Sequence, residues 1–192
     1  MLFRSAGLFV YHNTIIGEHT SGDPSSNVHY RNNLFLGRDT PGRGIMTWAF
    51  ATDAYSSDYN GFRPNKDVAN QYRWLGPAKG EKIYEPTPGQ WKYFPTLKEM
   101  TAATGHEAHG MEVDFDIFEK LAPPGLSRHG VYHSMDLNFK LKPNGKAVDA
   151  GVIIPTVNDN FAGKAPDLGA LESGKRETKW GPRRLTWQPF YR

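Results

Sequence analysis

The chain contains no cysteine, which excludes disulfide staples, thiolate metal sites and a cysteine nucleophile. It leaves the compartment open, because exported proteins also occur without disulfides. No apolar run approaches the length of a membrane span, and the stretch from Ala6 to Val10 is too short for a signal-peptide core. Charge of one sign is scarce as well. The 23 Lys and Arg against 20 Asp and Glu leave a net charge of +3, too mild for a nucleic-acid binder, so no nucleic-acid partner is expected. Only 38% of residues are apolar, and 20 Gly and 14 Pro punctuate the chain, which excludes an architecture of long helices. What is abundant is aromatic: 11 Phe, 9 Tyr and 5 Trp among 192 residues demand a packed core and exclude a disordered chain. The length suits one domain.

Three segments can be laid over one another on an asparagine: His12-Asn13-Thr14-Ile15, Asn32-Asn33-Leu34-Phe35 and Tyr59-Asn60-Gly61-Phe62. Two positions after each Asn stands Ile15, Phe35 or Phe62, and five before it stands Leu8, Val28 or Tyr55. Clusters such as Ser21-Gly22-Asp23-Pro24-Ser25 and Gly37-Arg38-Asp39-Thr40-Pro41-Gly42 separate these rungs and read as turns and outward loops. A repeat holding only short strands cannot bury its apolar side alone, so it must stack on its neighbours as a solenoid. Stacked at about 4.8 Å, Asn13, Asn33 and Asn60 would form a structural ladder of side-chain amides, each both donor and acceptor.

These rungs, together with Ser57-Asp58-Tyr59-Asn60-Gly61, the loop Thr104 to Gly110, Asp136 to Pro143, Ala147-Val148-Asp149-Ala150-Gly151 and Ala165-Pro166-Asp167-Leu168-Gly169-Ala170-Leu171-Glu172, resemble the C-terminal portion of right-handed parallel β-helix proteins of the pectate-lyase-like superfamily. The resemblance covers most of the chain. It departs at Lys146, where many relatives have Ser in a surface turn. It implies an all-β solenoid with β-helix coils over 1–65, an irregular insertion with a short helix over 66–110, final coils and a closing segment over 111–175, and a tail over 176–192. Because the chain enters a strand-like run within a few residues of Met1, it reads as truncated at its N-terminus, with further coils upstream. The family also implies an extracellular or periplasmic location and a polysaccharide partner, with uronic-acid polymers among the candidates, and no membrane span is expected.

Within 66–110, Trp74, Trp91, Tyr93 and Phe94 alternate with prolines, which breaks the rung rhythm. Thr96, Glu99 and Gly105 then supply a capping box and a stop for two turns of helix. Met111 to Phe118 alternates strictly and predicts a strand with Val113, Phe115 and Ile117 inward and Glu112, Asp114 and Asp116 outward. Calcium takes roughly six to eight converging oxygens, so three carboxylates along one strand face are weak candidates and Ca²⁺ stays only a possible cofactor. His106 and His109, three apart around Glu107 between two glycines, lack the helical spacing of a zinc site. No metal ligand is assigned. Asp149, Asp159 and Asp167 read as turn residues.

If the rungs are aligned on asparagine, the outward side chains fall into two columns: Tyr11, Arg31 and Asp58, with Phe9, His29 and Ser56 beside them. Arg31 would neutralise a uronate carboxylate, His29 would act as base, and Tyr11 and Asp58 would hold sugar, the chemistry of a polysaccharide lyase. Glycoside hydrolysis would instead need two carboxyl groups roughly 5 to 9.5 Å apart. Trp91, Trp180 and Trp187 are further candidates for sugar stacking. Two other functions stay open: a non-catalytic glycan-binding or structural β-helix module, and a β-sandwich binding domain. The sandwich predicts antiparallel pairing, whereas the β-helix predicts parallel, in-register strands at Leu8, Val28 and Tyr55.

Overall fold

The computed structural model describes residues 6–127, 129–133 and 136–176. Strands dominate these residues, and there is little helix: α1 (Leu97–Thr104) and short 3-10 turns such as Pro88–Gln90 and Phe115–Ile117. In chain order come β1 (Ala6–Tyr11), β2 (Thr14–Gly17), β3 (Thr20–Arg31), β4 (Leu34–Gly37), β5 (Met46–Phe50), β6 (Tyr55–Asp58), β7 (Gly61–Arg63) and β8 (Tyr72–Leu75). They pair in three parallel ladders, two of them joined through β3. In the first, β1, β3 and β6 align Leu8 with Val28 with Tyr55, and Tyr11 with Arg31 with Asp58. In the second, β2, β4, β7 and β10 (Met111–Glu112) align Ile15 with Phe35 with Phe62. The third joins the start of β3 to β5 and β8, aligning Thr20 with Met46 with Tyr72, and ends on the antiparallel β9 (Lys92–Phe94). The parallel register of the first two ladders is not that of a β-sandwich, whose neighbouring strands run antiparallel.

A two-residue bend carries the chain from the first ladder to the second. Its first residue is left-handed each time, His12 at φ 53°, Asn32 at 58° and Tyr59 at 57°, and its second is Asn13, Asn33 or Asn60. Such a backbone costs a non-glycine residue about 1–2 kcal/mol, and the hydrogen bonds of the following Asn offset it. Between the sheets lies an aromatic core. Tyr30 stacks on Trp48 with centroids 4.0 Å apart, Phe35 on Phe62 at 5.5 Å, and Phe50 on Tyr55 at 4.1 Å.

Strand β4 is buried on both sides. Phe35 enters the aromatic core, while Leu34 and Leu36 join a second cluster with Val113, Phe115, Ile117, Phe118, Leu141 and Leu168. The later part of the chain therefore covers the outer side of the second ladder. The closing segment is tied down where Asn32 accepts from the Val152 N–H and donates to the Val152 carbonyl, each at 2.8 Å. Asp149 and Asp167 both accept from backbone N–H groups there.

Two expectations are corrected. Residues 111–118 do not form one strand: β10 gives way to a 3-10 turn over Phe115–Ile117, followed by β11 (Phe118–Lys120) against β12 (Asn138–Leu141). The burial alternation survives, with Val113, Phe115 and Ile117 inside. The strand breaks because Asp114 caps the Phe115 N–H at 2.7 Å and meets Arg63 Nε at 2.6 Å. Nor is 66–110 wholly irregular, since β8 continues the third ladder in register. The helix stands where its caps put it. Thr96 Oγ1 accepts from the Glu99 N–H at 3.2 Å, Gly105 is left-handed at φ 72°, and Leu97 and Met100 are buried.

Candidate functional site

The three asparagines lie in one file. Asn13 Nδ2 donates to Asn33 Oδ1 at 3.1 Å, and Asn33 Nδ2 to Asn60 Oδ1 at 2.8 Å. The same acceptors take the backbone N–H of Asn13 and of Asn33, both at 3.0 Å. Asn33 and Asn60 are fully buried, so every amide proton needs such a partner. Each Nδ2 also reaches a backbone carbonyl, that of Tyr11, Val10 or Asp58.

The file ends on a residue that the rung alignment misses. Asn60 Nδ2 donates to Glu107 Oε1 at 2.8 Å, the Asn60 N–H reaches Oε2 at 3.3 Å, and Ser57 Oγ donates to Oε1. Because Gly61 pairs with Met111, Gly110 stands one rung beyond Asn60, and the Glu107 carboxylate fills the space a fourth Asn side chain would take. Burial is the leading influence on Glu107 and raises its pKa to about 7, against the opposing hydrogen bonds from Ser57 and Asn60. A Cβ on Gly110 would sit 2.7 Å from Glu107 Oε2 and 2.8 Å from its Cβ. Gly110→Ala is therefore expected to destabilise the protein by about 1–3 kcal/mol, measurable as a lowered urea midpoint. The signal in the sequence was slight: a glycine where the alignment wants an amide, with an acid three residues before it.

On the outer side of the first ladder, register places Phe9, His29 and Ser56 in one row and Tyr11, Arg31 and Asp58 in the next. The Phe9 ring, 61% exposed, stacks on His29 with centroids 5.4 Å apart. His29 Nδ1 lies 2.7 Å from Ser56 Oγ, and its Nε2 lies 2.9 Å from Asn27 Oδ1. Arg31 Nη2 donates to the same Ser56 Oγ at 3.0 Å, and Nη1 donates to the Tyr30 carbonyl at 2.7 Å. The structure thus joins His29, Arg31 and Ser56 in one hydrogen-bonded group, with Tyr11 on the neighbouring strand.

Asp58 is not Arg31's partner, as a simple charge pairing along the column would have it. The loop after α1 brings His109 over it: the His109 N–H donates to Oδ1 at 2.7 Å and Nδ1 meets Oδ2 at 2.8 Å. Two donors from one residue make a better-defined clamp than a single flexible ion pair. Burial works against ionisation of Asp58, but the bonds from His109 and the Tyr59 N–H outweigh it and hold the carboxyl below its ordinary pKa. His109 stacks on Tyr59 at 4.4 Å, and His106 packs on Trp74 and Tyr55, each at 5.0 Å. Burial, reinforced by the Arg31 charge, lowers the pKa of both His29 and His106. That direction favours the neutral ring in both.

Neither the histidine loop nor the acidic segment converges on a common point. Asp114 is committed to Arg63, and among the described residues no group of three or more His, Cys, Asp or Glu side chains could hold a metal ion. Trp91 lies under the Arg73 guanidinium, 3.9 Å from its ring centroid. Trp180, Trp187 and residues 177–192 of the tail lie outside the described residues. Among the described residues no helix is long and apolar enough to cross a membrane. Comparison of the chain with protein-family models, curated proteins and solved structures gives no match.

Proposed function

We propose that this protein is a carbohydrate-active, right-handed parallel β-helix protein that works outside the cytoplasm and binds a uronate-containing polysaccharide on the outer side of its first ladder. The observation that carries this is the in-register row of Tyr11, Arg31 and Asp58 beside Phe9, His29 and Ser56. A guanidinium with donors to spare, flanked by the exposed Phe9 ring and the half-buried Tyr11 ring, matches a carboxylated sugar: rings stack on the pyranose while Arg31 pairs with the carboxylate. The second ladder is covered on its outer side by the later part of the chain, whereas the first carries the exposed Phe9 ring there.

Backbone cleavage is the less favoured part. Elimination needs a base free to take a proton from a sugar carbon, yet both ring nitrogens of His29 are already hydrogen-bonded. Hydrolysis needs a pair of available carboxyl groups, and Asp58 is held by His109. This favours a glycan-binding module over a lyase or glycosidase. Isothermal titration against polygalacturonate, its methyl ester and a neutral glucan tests it. Binding is expected to the free acid alone, to weaken with salt, and to fall about tenfold or more in Arg31→Ala, the value of one charge-assisted bond. Equal affinity for all three polymers would overturn the reading. Ultraviolet absorbance from an unsaturated uronate product would restore the lyase.

A further inference from the structure

We propose that Ser56, His29 and Asn27 form an acyl-ester hydrolase site, with Ser56 as nucleophile, His29 as its base and Arg31 as the group that neutralises the developing oxyanion. The geometry carries it. Ser56 Oγ stands 2.7 Å from His29 Nδ1, within the reach needed for proton transfer, and a third side chain fixes the base, with Asn27 Oδ1 2.9 Å from Nε2. When Asn27 Oδ1 accepts from Nε2–H, Nδ1 is left with its lone pair toward the hydroxyl, the tautomer a base requires. Asn27 holds a left-handed backbone at φ 54° two residues before His29 on β3. Arg31 Nη2, 3.0 Å from Ser56 Oγ, lies within reach of an oxygen borne by a carbon newly bonded to that Oγ. Ser57, the next residue, points inward to Glu107, so strand alternation puts one serine in the core and the other on the outer side of the ladder.

In the first half-reaction Ser56 Oγ bonds to the acyl carbon as its proton passes to His29 Nδ1, and the carbonyl electron pair moves onto the oxygen beside Arg31. Collapse of that adduct breaks the carbon–oxygen bond to the alcohol, which leaves with the proton from His29. Water then attacks the acyl-serine, giving its proton to His29. Expulsion of Ser56 Oγ, which takes the proton back, releases the carboxylic acid. Phe9, stacked on His29, gives the site an apolar wall suited to a short acyl chain. An O-acylated sugar as natural substrate rests on the glycan reading above; the nucleophile itself does not.

The full chain is tested with p-nitrophenyl acetate and with a fluorophosphonate probe whose site is mapped by peptide mass. Hydrolysis above the buffer rate and labelling at Ser56 are expected. Ser56→Ala should lose label and about 100-fold or more of the rate, with an unchanged circular-dichroism melt. Asn27 is a positioning residue. Asn27→Asp should retain activity and move the acidic limb of the pH–rate profile upward, because a carboxylate at Nε2 favours the protonated ring, whereas a merely structural role would leave that limb in place. A wild-type rate no faster than buffer, an equal rate in Ser56→Ala, or label on another residue would overturn the proposal. The aryl ester contains no sugar, so failure here leaves glycan binding standing, and failure to bind glycan with ester hydrolysis intact removes only the sugar from the proposal.

Discussion

Asn33→Leu is expected to cost about 3 kcal/mol, the larger of two losses along the amide file, and to lower the thermal midpoint by roughly 6–12 °C for a chain of this size. The replacement keeps the branched shape of Asn but removes an acceptor and two donors from the middle of a buried row. The Val10 carbonyl and Asn60 Oδ1 each lose the Asn33 Nδ2 donor, and Asn13 loses Oδ1 as acceptor for both its N–H and its Nδ2. Water cannot stand in, because Asn33 is fully buried. Asn13→Ala provides the contrast. It removes the exposed end of the file, where solvent replaces the lost partner, and is expected to cost less than about 1 kcal/mol. Urea melts of both variants check the gradient, and equal small costs at the two positions would mean that the file contributes nothing cooperative.

That file is also where the sequence was most informative. The apolar positions at 8, 28 and 55 and the asparagines at 13, 33 and 60 repeat because each rung meets the same neighbours above and below, so alignment on one residue type predicts register. The cap at Thr96 and the stop at Gly105 were legible for a different reason: they are local, set by bonds within one turn of helix. What stayed hidden depends on residues far apart in the chain. Glu107 takes an asparagine's place from three positions away on a loop, and no residue-type alignment equates an acid with an amide. Strand β8 sits among prolines that mask its period. The Asp114 bond to Arg63 turns an alternating segment into a 3-10 turn without disturbing which side chains are buried. The candidate site divides in the same way. Its two columns follow from strand periodicity, whereas Asn27 behind His29 and His109 over Asp58 come from a left-handed residue within β3 and from a loop, neither of which the period encodes.

Glu107 makes the stability of this fold depend on pH around neutrality. Its ordinary pKa of 4.5 applies to the unfolded chain, while in the fold it keeps its proton up to about 7. Between these values folding takes up a proton. The contribution is complete below about 4.5, declines as pH rises, and is gone above about 7, a change on the order of 3 kcal/mol. Glu107→Gln abolishes that slope, because an amide resembling the protonated acid does not titrate. Other groups act in the same window and must be subtracted. The lowered pKa values of His12, His29 and His106 favour the fold above their ordinary 6.5, and that support fades as pH falls through their folded values, an opposite trend. Raised Glu172 adds a slope of the same sign as Glu107, while Asp39, Asp58 and Asp114, all lowered from 3.8, act only in acid. These contributions are common to wild type and Glu107→Gln, so the difference between their urea-derived stabilities from pH 4.5 to 7.5 isolates the one carboxyl. Parallel curves would place the Glu107 titration outside this range. Ser57→Ala sharpens the test: losing the hydroxyl that donates to Oε1 removes support for the anion and pushes the upper end of the slope to higher pH, whereas a carboxyl that had only lost packing would keep the same window.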